Sequence, residues 1–482
     1  MTTTESTPHL SFARRVGWLT LGQGAEKLSQ VVMVVALARI LPHGEWNTLA
    51  LALTVYVVGV TVVSFNLEHS IVYFVPRIDV ASAERLVART FFLLMAAGTT
   101  AAGSLLLVQS VWSPLHSKTD AFLVAVTFVT EPATVIGGAL FLVRGDERAS
   151  GVWDFTMSSV QLLAVILPAV AGWGATGALW GLACAGAVRF ASFVGVFRPS
   201  PTGISRGDGG LLRGQLRFCV PIGLTLAAGV LAKSIDKWMV ALHLPRDVGV
   251  YAVAAHEVPV LVVLPYAGGA AIAVRLVKLL SDGHRRDAHM LWWDQVDSMT
   301  AMVVPAAMFV TLVAPELVVA LFGGGFGDAV APFRMFTLVS LHRVTEYGAV
   351  LRAAGRAGET VWSSLILLAG SIVFGWFGLL HGGLVGLTVG TVLAFLVSWL
   401  WTLHRLGRVF GLSVAQVFPW ASWLTHVGSA TSAFAVSVAV ASLVRAPMVA
   451  FLAKVIVYAC IIAATRAVIG RQSDTRRVGI PS

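Results

Sequence analysis

VWSSLILLAGSIVFGWFGLLHGGLVGLTVGTVLAFLVSWLWTL, residues 361–403, contains no Asp, Glu, Lys or Arg. It reads as two apolar stretches, 361–380 and 384–403, parted by His381, Gly382 and Gly383. Each is close to the ~20 residues that a helix needs to cross ~30 Å of hydrocarbon. Continuous apolar runs of this kind are not barrel strands, which alternate polar and apolar residues. Working outward, the same reading recurs at 17–38, 48–67, 88–109, 121–143, 152–171, 174–196, 216–240, 248–272, 297–321, 330–353, 422–443 and 447–469, giving about fourteen spans. The whole chain agrees with its parts: 57% of its 482 residues are hydrophobic, 12% are charged, and the mean hydropathy is +0.82. A soluble domain has no means of hiding so much apolar surface. The expected fold class is therefore an all-α integral membrane protein, with connecting loops too short to hold a second core.

Orientation follows from the basic residues. With the N-terminus placed in the cytoplasm, the inner loops hold Arg14/Arg15, Arg77/Arg85/Arg89, Arg144/Arg148, Arg198/Arg206/Arg213/Arg217, Arg275/Lys278/Arg285/Arg286, Arg352/Arg356, Arg405/Arg408 and Arg466/Arg471/Arg476/Arg477. The outer loops and helix ends hold only Arg39, Lys118, Arg246, Arg334 and Arg445. This asymmetry places both termini in the cytoplasm and makes the expected location the cytoplasmic membrane. It also accounts for the net charge of +10, so basicity here is not a nucleic-acid signal. The polar first dozen residues and the polar groups of the first span argue against a cleavable targeting peptide. Cys184, Cys219 and Cys460 are widely spaced in or beside spans, which favours packing over disulfides or a metal site.

Two internal matches occur at similar offsets. ARILPHGEWNTLALA after the first span aligns with ALHLPRDVGVYAVAA after the seventh, superposing Leu41-Pro42 on Leu244-Pro245. GWGATGALWG, with Gly174, Gly177 and Gly181, aligns with HGGLVGLTVG, with Gly383, Gly386 and Gly390; Leu142 aligns with Leu351 at that same offset. Small residues at helical spacing assist packing in any membrane protein. Several matches in register point further, to two six-helix lobes related as parallel repeats, with two C-terminal helices added. The boundaries implied are 1–205, 206–410 and 411–482, and two such bundles would leave a central cavity.

Charges inside the spans are costly unless paired or wetted, which makes them candidates for the lining. Gln23, Glu26, Lys27 and Gln30 recur at three- and four-residue spacing and form a polar stripe on the first helix. On the seventh, Lys233 lies one turn from Asp236 and Lys237; on the tenth, His342, Arg343 and Glu346 are similarly spaced. Glu131, Arg189, Glu257 and Lys454 stand singly. Mutual neutralisation, as in Glu26–Lys27, Lys233–Asp236 or Arg343–Glu346, and snorkelling of Lys237 or Lys454 are the plainer readings. Taken together, Lys27, Arg189, Lys233, Lys237 and Arg343 suit an anionic ligand such as a phosphate. Glu26, Glu131, Asp236, Glu257 and Glu346 form the acidic set, in which Asp236, Glu26 and Glu346 above all could carry a proton or a coupling sodium ion. No cofactor is expected.

Further along, SIDKWMVALHLPRDVGVYAVAAHEV from Ser234, with Asp236, Gly249, Tyr251 and Ala252, ELVVALFGGGFGDAVAPFRMF from Glu316, and VLRAAGRAGET from Val350 carry a family likeness. The chain resembles the polysaccharide, O-antigen-type flippases of the multidrug/oligosaccharidyl-lipid/polysaccharide exporter superfamily, relatives of the lipid II flippases. The first half departs from the pattern, with Trp46, Asn47 and Thr48 where Gly-x-Tyr is usual. The resemblance implies a non-enzymatic transporter that flips a glycan on a polyprenyl diphosphate by alternating access, for cell-surface polysaccharide or envelope glycan synthesis. Its implied partners are that lipid-linked glycan, membrane lipid and the enzymes that assemble the glycan. Pro221, Pro259, Pro265, Gly268, Gly269 and Pro305 are bending points or ordinary kinks.

GGGFG at Gly323–Gly327 lacks the Lys-Ser/Thr ending of a phosphate loop, and no nucleotide-binding domain is apparent. A small-solute cation antiporter of the same superfamily predicts an acidic, aromatic cavity instead. A membrane glycan polymerase or glycosyltransferase predicts catalytic carboxylates in a large outer loop, where this chain offers only Glu316 and Asp328. A scaffold in an envelope-synthesis complex is the last alternative.

Overall fold

Gly383 has φ +56° and ψ −139°, a conformation essentially confined to glycine, and with Gly382 it breaks a helical segment running from Gly358 to Phe410. Unbroken, those 53 residues would extend for ~80 Å, far beyond the thickness of a bilayer. The chain instead doubles back, and its two arms pack on small residues. A Cβ on Gly378 would lie 2.0 Å from the carbonyl oxygen of Gly386, and one on Gly390 would lie 2.1 Å from that of Phe374. Ser363 continues the same seam towards the open end, bonding to Ser398 at 3.0 Å and Thr402 at 2.7 Å. Since lipid tails are as apolar as leucine, such close backbone approach is what joins helices in a membrane.

The structure, a computed structural model, describes residues 12–199 and 209–478. Arg206 and the side chains of Arg14, Arg15, Gln23, Arg471, Arg476 and Arg477 lie outside the described residues. Every element among the described residues is helical, and eleven helices are long and apolar enough to cross a membrane. The chain divides into two compact units, residues 1–249 and 250–482.

The first unit contains α1 (Phe12–Ile40), α2 (His43–Ser64), α3 (Glu68–Phe74), α4 (Val80–Trp112), α5 (Lys118–Thr134), α6 (Ile136–Val143), α7 (Glu147–Val170), α8 (Gly174–Phe197), α9 (Gly209–Ala232) and α10 (Ile235–His243). Side-chain caps start several of them: Asp79 accepts from the Ser82 N–H, Ser117 from Asp120 and Asp146 from Ala149. Hydrogen bonds from Ser82 also hold the Asp79 carboxyl below its usual pKa. Phe65 and Asn66, both at positive φ, turn α2 into α3, so the second span continues as far as Arg77. Helices α7 and α8 form a second tight hairpin. Gly174 takes φ +67° at its turn, where the Glu45 carboxylate accepts from the Ala175 N–H at 2.9 Å. A Cβ on Gly181 would meet the Ala164 carbonyl oxygen at 1.8 Å. One end of the unit is filled by Ile71, Phe91, Leu94, Ile136 and Phe193, with Phe91 stacked on Phe193 at 5.4 Å.

The second unit contains most of α11 (Val248–Ala254), then α12 (Pro259–Ser281), α13 (Arg285–Leu312), α14 (Ala314–Phe322), α15 (Val330–Val339), α16 (Tyr347–Ala353), the hairpin α17 (Gly358–Phe410), α18 (Val414–Val417), α19 (Trp420–Ser442) and α20 (Pro447–Val478). Trp292, Val296, Val303, Leu403, Phe410 and Phe418 lie in its core. Across both units the outward-facing large side chains include Val111, Val274, Phe377 and Leu443, the surface expected against lipid.

The predicted span 330–353 is not one helix. Residues 340–346 are non-helical between α15 and α16, and the freed carbonyls find donors: Trp423 Nε1 bonds the Leu341 oxygen and the Tyr347 hydroxyl that of His342, both at 2.6 Å. Irregular backbone at membrane depth needs this kind of internal satisfaction. The span 248–272 is likewise interrupted, with Glu257 in the break before Pro259, and 216–240 is interrupted beside Lys233.

Candidate functional site

Four helices of the first unit bring together a directional chain of hydrogen bonds. Arg189 Nη2 on α8 donates to Gln161 Oε1 on α7 at 3.5 Å, and Gln161 Nε2 donates to the Tyr56 hydroxyl on α2 at 3.1 Å. That hydroxyl donates to Glu131 Oε2 on α5 at 2.5 Å. Glu131 is 4% exposed and Tyr56 8%, whereas Arg189 is half-buried. Gly186 helps to make room, since a Cβ there would sit 3.4 Å from Glu131 Cγ and 2.7 Å from Thr130 Oγ1. A buried carboxylate needs such partners, and a charge-assisted hydrogen bond is the strong kind.

Asp154 adds a second carboxylate to this region. It projects from α7 between two glycines: a Cβ on Gly22 of α1 would lie 3.1 Å from Asp154 Cβ, and one on Gly138 of α6 would lie 3.1 Å from its Oδ1. Its charge interacts with both Glu26 and Arg189. Glu26 is exposed on α1 and accepts from Gln30 Nε2 at 3.3 Å; Lys27 is exposed beside it and has no ion-pair partner among the described residues. The unit thus gathers Glu26, Glu131 and Arg189 around one polar region, together with Tyr56, Asp154 and Gln161, which the sequence reading passed over. Tyr56 and Gln161 carry no charge to mark them. Asp154 lies so near the start of its predicted span that it resembles a flanking residue; the spacing of two turns that puts it on one face with Gln161 was the available signal.

The remaining candidates stand at interruptions in helices. Lys233 falls between α9 and α10, and Asp236, 2% exposed, accepts the Lys237 N–H at 2.8 Å. In the second unit Arg343 bonds Glu257 at 2.9 Å, and Glu346 bonds Arg352. The Arg343–Glu346 neutralisation expected from one-turn spacing does not form, because both residues lie in the unwound segment 340–346 instead of sharing one helical face. His342 is buried against Trp399, with ring centres 5.1 Å apart. Lys454, a candidate for snorkelling, bonds Glu316 at 2.6 Å.

Chemically, the first-unit cluster offers a guanidinium with five donors, one of which makes a long bond to a neutral amide. Residues 12–273, more than half of the chain, match the family described as polysaccharide biosynthesis protein. The chain belongs to that family. This multi-pass membrane member has the fold of solved transporters. A lipid II flippase, MurJ, in an inward closed conformation, superposes with TM-score 0.75 at 11% identity, covering 94% of this chain and 99% of that one. A multidrug resistance MATE family transporter in an inward-facing conformation gives TM-score 0.62 at 14% identity, covering 82% and 98%. The outward-facing conformation of such a transporter gives 0.55 at 14% identity, covering 82% and 95%. No curated protein sequence matches the chain. These solved structures are of a flippase and of transporters.

Proposed function

We propose that the protein flips an oligosaccharide linked to polyprenyl diphosphate across the cytoplasmic membrane by alternating access, for synthesis of a surface polysaccharide or envelope glycan. In this reading the chain makes about fourteen crossings with both termini cytoplasmic: two six-helix lobes, 1–205 and 206–410, and a C-terminal pair of spans. Arg189 binds the diphosphate, assisted by Lys27, Lys233, Lys237 and Arg343. Glu131 and Asp154 hold the coupling proton or sodium ion, with Glu26, Asp236, Glu257 and Glu346 lining the polar path. The observation carrying this reading is the indirect tie between Arg189 and Glu131. Gln161 and Tyr56 intervene, so the guanidinium is positioned without being neutralised by direct contact with that carboxylate. A planar fork held in this way suits a phosphate oxygen pair.

Depleting the protein and treating intact cells with a membrane-impermeant glycan-oxidising reagent tests the proposal. The expected result is a fully assembled, polyprenyl-linked oligosaccharide protected on the cytoplasmic side, relieved by the native protein and not by Arg189→Ala. Accumulation in the outer leaflet would replace flipping with a polymerisation defect. The likeness to MATE transporters favours one second reading, a small-solute cation antiporter of the same fold. Absence of any lipid-linked intermediate, together with restored cation efflux on re-expression, would select it.

A further inference from the structure

The open end of the α17 hairpin forms a cleft of about 590 Å³, lined by Arg356, Gly358, Glu359, Trp362, Trp401 and Arg405. It lies within the second unit, and none of its lining residues is among those assigned above to transport. Two guanidinium groups face one carboxylate there. Arg405 is bonded to Glu359, with both side chains largely buried, whereas Arg356 is exposed and has no carboxylate partner among the described residues. The Arg405 guanidinium also lies 5.4 Å from the centre of the Trp401 ring. Two donors of the lining, Trp401 Nε1 and Arg405 Nε, are buried without a hydrogen-bond partner in the protein. Unsatisfied buried donors are costly, and an oxygen ligand entering the cleft would offset that cost. The arginine distribution puts this end of the hairpin on the cytoplasmic side, and tryptophan pairs favour headgroup depth.

We infer that this cleft binds a phosphate group at the cytoplasmic membrane surface, gripped by Arg356 and Arg405 and flanked by Trp362 and Trp401. Glu359 occupies Arg405 when the ligand is absent and competes with it. The same chemistry could come from an anionic phospholipid headgroup or from a soluble phosphate, and the two are separable. Delipidated protein in neutral detergent is titrated with dihexanoyl phosphatidylglycerol and with inorganic phosphate, binding being read by native mass spectrometry. Arg356→Ala and Arg405→Ala should each weaken binding about ten- to a hundredfold, the worth of a charge-assisted hydrogen bond. Glu359→Gln should tighten it, and Arg408→Ala, exposed at the same end of the hairpin but outside the cleft, should leave it unchanged. Saturation by the short-chain lipid that inorganic phosphate fails to displace assigns the site to a headgroup; full displacement assigns it to soluble phosphate. Failure of both probes to bind overturns the inference, as does an Arg408→Ala loss equal to that of Arg356→Ala. Should Arg405→Ala fail to fold because Glu359 is stranded, Arg356→Ala and Glu359→Gln decide the question alone.

Discussion

The α7–α8 hairpin and the α17 hairpin are built alike and furnished differently. Each turns on a glycine at positive φ, Gly174 in one and Gly383 in the other. Each then closes on a glycine lying almost against a carbonyl of the opposite arm, Gly181 on Ala164 and Gly390 on Phe374. These are the glycines that the repeat reading places in register. Their seams part company at the polar positions. Asp154 and Arg189 of the first hairpin align, at the repeat offset, with Ser363 and Ser398 of the second, which bond to each other as neutral hydroxyls. The packing frame therefore constrains glycine and leaves the seam chemistry free to diverge: at these aligned positions only the first copy is charged, and the second keeps its ion pair, Arg405–Glu359, at the open end.

The largest test of this comparison attacks the shared frame. Gly181→Val and Gly390→Val should both abolish folded protein in fluorescence-detected size exclusion, because each drives a side chain into backbone at a cost of about 3 kcal/mol or more. Gly103→Ala, with open space around its Cβ position, should be neutral. Tolerance at only one of the two hairpins would break the equivalence. The next test separates the seams. Arg189→Ala should reduce flipping about ten- to a hundredfold in a leaflet-accessibility assay, while Ser398→Ala should leave flipping intact and cost only about 1 kcal/mol of stability. Equal functional losses would mean that both seams belong to the transport path. Tyr56→Phe strands a buried carboxylate oxygen and should cost about 1–3 kcal/mol, visible as a lower melting temperature, whereas Ser363→Ala should cost about 1 kcal/mol or less. Gly174→Ala, at positive φ, should destabilise by about 1–2 kcal/mol, with a full-length product that still traffics to the membrane.

Much of this frame is readable from the chain alone. Apolar length marks most of the membrane-spanning helices, and three glycines in register align the turn between 152–171 and 174–196 with that between 361–380 and 384–403. Helix interruptions were less accessible. Of residues 340–346 only Leu341 and Val344 are apolar, and it is the apolar flanks on both sides that carry the predicted span across them. What unwinds the chain is satisfaction of its carbonyls by Trp423 and Tyr347, tertiary partners that spacing does not reveal. The same cause misdirected the pairing of charges: one-turn spacing joined Arg343 to Glu346, while the unwound backbone sends them to Glu257 and Arg352. In the first unit, charge counting found Arg189 and Glu131 but not the uncharged Tyr56 and Gln161 that link them.

The turn at Gly382–Gly383 also bears on how the protein is made. A hairpin returns the chain to the face it started from, so α17 can enter the bilayer as one closed unit carrying no net change of side. Excising residues 358–410 whole should leave α19 and α20 with their native sidedness. Removing only the arm beyond Gly383 should invert both, and a glycosylation tag after Leu443 would register the difference during biosynthesis, before transport is ever measured.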